Sequence, residues 1–144
     1  MIAADGIMFD LDGTLILSDR ALGGYQVLPG AVDLLTELQH RGIPFVALTN
    51  GSAYPAAEQA PRLRALGLRI ADDRLFTPNN VAAGLFAERG HRRVMVLGTA
   101  GVVAALESDG IAACAPGEAG ADAVYIGWHP DCSMTDIQIG RAHV

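Results

Sequence analysis

The stretch Ile7-Met8-Phe9-Asp10-Leu11-Asp12-Gly13-Thr14-Leu15 constrains this chain more than any other. The apolar run from Ile7 to Phe9 fits a buried strand bounded by turn chemistry. It runs straight into two carboxylates two residues apart, then glycine and threonine. A strand bound for the interior has no use for acids at its exit, because burying an unpaired charge is costly. Asp10 and Asp12 at that exit suit a metal ion and a reaction. Gly13 lets the chain turn sharply behind them. The plain alternative is an Asp-Gly turn with no chemistry.

A second polar exit follows. Residues 15–28 read as a loop or short hairpin, with Ser18-Asp19 and Gly23-Gly24 as turn signals. Pro29-Gly30 opens a helix whose apolar face is Ala31, Leu34, Leu35 and Leu38, and Gly42 ends it. Ile43 to Leu48 is the second strand, and Thr49-Asn50-Gly51-Ser52 leaves it. A strand, a helix and a strand make a βαβ unit, so the two strands are expected to be parallel. As neighbours they would lie about 4.8 Å apart. Asp10 and Thr49 would then share one sheet edge, and open α/β sheets bind ligands outside the carboxyl ends of their strands.

Further along, Ala53 to Gly67 reads as a helix in which Pro61 forces a kink or a late start. Asp72 to Phe76 reads as a loop into a short strand. Asn79 or Asn80 is the expected cap of a helix ending near Arg89-Gly90. Arg93 to Gly98 is a strong strand, 102–108 a helix closed by Asp109-Gly110, and Ala121 to Trp128 holds another strand. Leu97-Gly98-Thr99-Ala100-Gly101 lacks a full phosphate-loop fingerprint and reads as a tight strand-to-helix turn. His129, Asp131 and Cys132 read as a loop, since no partner Cys/His pair supports a metal set. His40, His91 and His143 read as surface residues, and Arg92-Arg93 as a solvated edge.

Composition narrows the classes. A chain of 144 residues, 51% hydrophobic, can bury a sizeable core. It has no run of about 18 apolar residues and no basic-then-apolar leader, so neither a membrane span nor a secretory signal is expected. A net charge of −6 argues against a nucleic-acid partner. Cys114 and Cys132 have no metal-ligand spacing and read as reduced thiols of a cytoplasmic protein.

The Asp10-Leu11-Asp12-Gly13-Thr14 stretch resembles motif I of the haloacid dehalogenase superfamily. The later order is similar to its class IIA branch, the NagD-like, 4-nitrophenyl phosphatase and phosphoglycolate phosphatase-like proteins. The segments that carry this likeness are Leu28-Pro29-Gly30-Ala31, Thr49-Asn50-Gly51-Ser52, Val96-Leu97-Gly98, and Ala121-Asp122-Ala123-Val124 through Gly127. The resemblance implies an α/β fold, a Rossmann-like three-layer core with a parallel sheet over 1–78, present in part. The beginning of an α/β cap domain would occupy 79–138.

It further implies a Mg²⁺-dependent phosphatase of small phosphate monoesters. Asp10 would be the nucleophile that becomes an aspartyl phosphate, and Asp12 the general acid and then base. Asp10 and Asp12 would hold Mg²⁺, the second through its main-chain carbonyl. The Thr49 hydroxyl and the amides of Asn50 and Gly51 would bind phosphate. The implied partner is a small phosphorylated metabolite, with a homodimer of the full-length protein. The alternatives are a phosphotransferase or mutase of the same superfamily, or a non-catalytic phosphate-binding module.

One departure stands out. The family also needs a lysine, or an arginine, and further acids after the cap, and this chain contains no lysine. The expectation is an N-terminal fragment, inactive or nearly so alone, with apolar sheet surface exposed. Ile139 to Val144 can be encoded by ATC GGA AGA GCA CAC GTC with the stop TGA behind, a string shared with a common short-read sequencing adapter. Residues 139–144 are therefore expected to be a non-native tail.

Overall fold

The computed structural model describes residues 5–19 and 24–141, with side chains up to residue 138. The elements run β1 (Ile7–Asp10), β2 (Ile16–Ser18), β3 (Tyr25–Val27), α1 (Ala31–His40), β4 (Phe45–Leu48), α2 (Ala56–Ala65), β5 (Leu75–Phe76), α3 (Pro78–Glu88), β6 (Arg93–Leu97), α4 (Ala100–Ser108), β7 (Ala112–Cys114), β8 (Ala123–Ile126) and α5 (Met134–Arg141). This is an α/β chain with two parallel sheets and an antiparallel hairpin. It divides into two compact units, Met1–Thr49 with Ala57–Phe76, and Asn50–Ala56 with Thr77–Val144. Among the described residues no helix is long and apolar enough to cross a membrane.

The first unit is built on the sheet β1-β4-β5. The βαβ logic holds: β1 and β4 are parallel neighbours, with Ile7 opposite Phe45 and Asp10 opposite Leu48. β5 adds to the far side of β4, with Ala47 opposite Leu75 and Leu48 opposite Phe76. Alternation puts Ile7, Phe9, Phe45, Ala47 and Leu75 on one face. There Ala47 and Leu75 are buried, and the Phe9 and Phe45 rings meet edge to face at 6.1 Å. The opposite face carries Met8, Asp10, Val46, Leu48 and Phe76, and Met8 is 75% exposed.

One helix detail differs from the sequence expectation, and a second takes the late start it allowed. In α1 the buried stripe is Ala31, Leu35 and Leu38, while Leu34 is exposed. At 100° per residue Leu34 falls at the rim of that stripe. α2 starts only at Ala56, just after Pro55, and carries Pro61 inside it without ending there. Both helices finish on a left-handed glycine. In α1 the Gly42 amide donates to the Gln39 carbonyl and the Ile43 amide to that of Leu38, at 3.1 and 2.9 Å. Gly67 closes α2 by the same pair of bonds.

The second unit is built around β6, which has β7 on one side and β8 on the other, all parallel. Val94 to Leu97 are buried without a break. Val94 and Val96 pack with Ala83, Val102, Leu106 and Ile111, which brings α3 and α4 onto one face of the sheet. Met95 and Leu97 point to the other face, and α5 runs against β6.

β7 was not foreseen. Its Ala112-Ala113-Cys114 has little strand character of its own and takes that form by pairing with Arg93 to Met95. α4 begins at Ala100, two residues earlier than expected, and α5 was not foreseen; it starts within the expected cap segment, and its last three residues enter the expected 139–144 tail. Residues 142–144 of that tail, His143 included, and 20–23 of the hairpin lie outside the described residues.

The cap of α3 is also corrected. It is Thr77, whose side chain accepts from the Asn80 amide while Asn80 Oδ1 accepts from the Thr77 amide at 2.7 Å. Asn80 is thus the reciprocal partner. Asn79 is fully buried and does different work. Its Nδ2 donates to the Ser52 carbonyl at 2.9 Å, and its Oδ1 accepts from Tyr125 Oη at 3.0 Å.

Such bonds explain why Asn50–Ala56, assigned to the core from sequence, groups with the second unit. Ser52 Oγ also accepts from the Trp128 amide at 2.6 Å. A Cβ added at Gly101 would lie 2.4 Å from the Ala53 carbonyl oxygen, so α4 and this segment touch backbone to backbone. Cβ atoms at Gly98 and Gly127 would lie 2.9 and 2.8 Å from Val102. The Gly98 to Gly101 turn is therefore glycine-rich for close packing.

Candidate active site

The two acids sit on a turn whose alternate residues are sunk into the core. Leu11, Leu15 and Ile16 are at most 1% exposed, while Asp10, Asp12, Gly13 and Thr14 face solvent. The backbone closes tightly around this pattern. The amides of Leu15 and Ile16 donate to the Leu11 carbonyl at 2.9 and 3.0 Å, and the Gly13 amide donates back to Ile16 at 2.7 Å. Gly13 takes φ of 89°, a conformation that a side chain would strain. Three buried apolar anchors thus hold two carboxylates outward.

Each acid has a neighbour that limits its freedom. Thr14 Oγ1 donates to Asp10 Oδ2 at 3.4 Å, a long bond. The Ser18 amide donates to Asp12 Oδ1 at 2.8 Å. Ser18 ends β2, so the hairpin β2–β3 is tied to the second acid. Sequence reading placed a hairpin there but gave no reason to single out Ser18, because a main-chain donor leaves no mark in residue type.

The sheet brings Thr49 to the same edge. Asp10 is level with Leu48, and the Thr49 amide donates to the Phe76 carbonyl at 3.0 Å, carrying the β4–β5 ladder one residue further. Asn50 and Gly51 come next in the chain, exposed, in the segment that groups with the second unit. They do not open a helix, as sequence reading assumed for their amides. Pro55 disfavours helical backbone at Tyr54, and α2 waits until Ala56.

The weaker candidates lie in the second unit. Thr99 caps α4 in position, but its side chain makes no capping bond and donates to the Ala53 carbonyl at 3.4 Å. His129 lines a cavity of about 300 Å³ with Val96, Gly98, Val103, Cys114 and Glu118. Among the described residues no three His, Cys, Asp or Glu side chains come together as a metal set.

The Arg92-Arg93 edge is occupied internally. The Asp122 carboxylate accepts from both amides at 2.9 and 3.3 Å and lies 3.6 Å from His91 Nδ1. The Arg92 amide is the main cause that holds this acid below the ordinary carboxylate range. The Arg93 guanidinium pairs with Glu118 at 2.9 Å.

Comparison with known proteins points one way. Residues 7–112 match the family described as haloacid dehalogenase-like hydrolase. The chain is 27% identical over 107 residues to 5'-nucleotidase YutF of Bacillus subtilis, covering 74% of this chain and 40% of that protein. It is 30% identical over 152 residues to chronophin of Mus musculus, covering 98% of this chain and 49% of that protein. The structure superposes on 4-nitrophenylphosphatase from Thermotoga maritima with a TM-score of 0.79 at 26% identity, over 94% of this chain and 49% of that one. The chain thus spans half or less of the length of these relatives.

Proposed function

The chain belongs to the haloacid dehalogenase-like hydrolase family, and from that premise we propose that its protein is a Mg²⁺-dependent phosphatase of small phosphate monoesters. The observation that carries this reading is the pinned turn. Asp10 and Asp12 are held in solvent by Leu11, Leu15 and Ile16, with Thr49 one residue beyond the ladder partner of Asp10.

In the proposed reaction Asp10 attacks phosphorus. A bond forms between its carboxylate oxygen and phosphorus as the bond from phosphorus to the alcohol oxygen breaks. Asp12 gives its proton to that leaving oxygen. It then takes a proton from the water that attacks phosphorus, which frees Asp10 and releases phosphate. The Thr49 hydroxyl and the amides of Asn50 and Gly51 are the donors assigned to the phosphate oxygens.

The donor chemistry fits Mg²⁺. The Asp10 carboxylate and the Asp12 main-chain carbonyl are hard oxygens at an open strand end. They suit an ion that keeps several waters and shares its ligands with a phosphate. When bound, the ion offsets the repulsion between a carboxylate and a phosphate dianion. The glycerol phosphate phosphatase Rv1692 of Mycobacterium tuberculosis, a structure in complex with magnesium, superposes at a TM-score of 0.77 with 25% identity over 96% of this chain and 40% of that one.

The test is phosphate release from 4-nitrophenyl phosphate, by the chain and by the product of the gene's longest reading frame. Release is expected to require Mg²⁺ and to stop with chelator. Asp10→Asn is expected to lower it by roughly 10³-fold or more, as loss of a nucleophile does. Turnover that survives either treatment would sink the proposal.

A further inference from the structure

We propose that Tyr25 and Gln59 form a latch that sets the β2–β3 hairpin against Asp12, making them positioning residues for that acid. This rests on the acid–base role proposed for Asp12, and it names what holds that group in place. Gln59 lies in α2 and is 7% exposed. Its Nε2 donates to Tyr25 Oη at 3.2 Å. Tyr25 is the cross-strand partner of Ser18. The Ser18 amide in turn donates to Asp12 Oδ1 at 2.8 Å. A helix side chain, a strand pair and an amide donor thus connect in series to the carboxylate, all within the first unit.

The hairpin needs such a hold. Two strands of three residues each are marginal on their own. The near end is anchored by Ile16, which is fully buried, and by the Leu28 amide donating to the Leu15 carbonyl at 3.0 Å. The Ser18–Tyr25 pair forms the other end, and Gln59 meets it there. A buried amide is costly to leave without a partner, so the Gln59 contact resists breaking. A carboxylate has two oxygens. With Oδ1 held on Ser18, Oδ2 is the atom directed to the leaving group. If the hairpin swings, the carboxylate is free to rotate and proton transfer loses its alignment.

Hydrogen exchange at the Ser18 amide reads the latch directly and needs no turnover. Tyr25→Phe removes only the hydroxyl, and Gln59→Leu keeps the bulk without the amide. Each is expected to speed exchange at Ser18 about tenfold, with the double variant no faster than the singles. The amides of the β1–β4 ladder are expected to keep their rates. Gln59→Glu, which can accept from the tyrosine hydroxyl, is expected to restore protection.

In 4-nitrophenyl phosphate hydrolysis by the product of the gene's longest reading frame, the two singles are expected to lower kcat roughly tenfold at unchanged KM. An unmoved Ser18 amide in both singles would overturn the latch, and so would faster Ser18 exchange with kcat intact. Asp12→Asn separates the two readings. Full turnover in that variant ends the acid–base role, while Ser18 exchange in Tyr25→Phe and Gln59→Leu still decides the latch.

Discussion

Met8 and Met95 occupy near-twin surroundings, Ile-Met-Phe in β1 and Val-Met-Val in β6, yet one is 75% exposed and the other 0%. The difference lies in what covers each sheet. β6 is a central strand with α3 and α4 on one face and α5 running against it, so both of its faces are dry. β1 is an edge strand among the described residues, and the face it shares with Leu48 and Phe76 is open. The heavily coated sheet carries none of the residues assigned to chemistry. The thinly coated one carries Asp10 and leads to Thr49. A strand's apolar run reports that it belongs in a sheet and does not report how many faces that sheet will bury.

The same substitution at the twin positions is the sharpest way to break this comparison. Met95→Ala is expected to cost about 2–5 kcal/mol, because the cavity it leaves is walled on both sides. Met8→Ala is expected to stay within about 0.5 kcal/mol. Denaturant titration read by exchange at the β6 and β1 amides gives both values. Equal losses at the two sites would mean that the open face of the first sheet is covered in solution.

A smaller effect probes why the second unit packs so tightly. Gly101→Ala is expected to cost about 1–3 kcal/mol, since its Cβ would press on the Ala53 carbonyl at 2.4 Å and backbone must move. Exchange at the Asn79 side-chain amide would report the loosened Ala53 segment, and an unchanged unfolding midpoint would refute the close contact.

The smallest effect is a pH dependence confined to the second unit. The Asp122 acid is held below its ordinary 3.8, first by the Arg92 amide, so its contribution is full above that value. It is lost as pH falls through the lowered value in the folded protein. Asp122→Asn is expected to flatten stability against pH below about 4. A wild-type slope retained in that range would remove Asp122 from the account.

Much of the candidate site was legible because its logic is local. Acids at a strand exit, a glycine behind them and a βαβ spacing lead to Asp10 and Thr49 at one edge, and the β1–β4 register agrees. The Gly98 to Gly101 turn was legible for the same reason. The cap of α3 was not, since Thr77, Asn79 and Asn80 are all plausible caps by type. Only the fold shows that Asn79 is taken up by Ser52 and Tyr125. β7 was missed because Ala112-Ala113-Cys114 is a strand by pairing rather than by propensity.

By itself the sequence determined the order of the strands and helices apart from β7 and α5, the parallel sense of β1 and β4, and the acids at the first strand's end. All three follow from contacts between near neighbours and from short-range backbone preference. Tertiary structure alone decided which sheet face stays wet, where Asn50–Ala56 belongs, and that Gln59 reaches Asp12 through Tyr25 and Ser18. Those depend on side chains and amides far apart in the chain meeting at one point, and no local pattern of residue types encodes such a meeting.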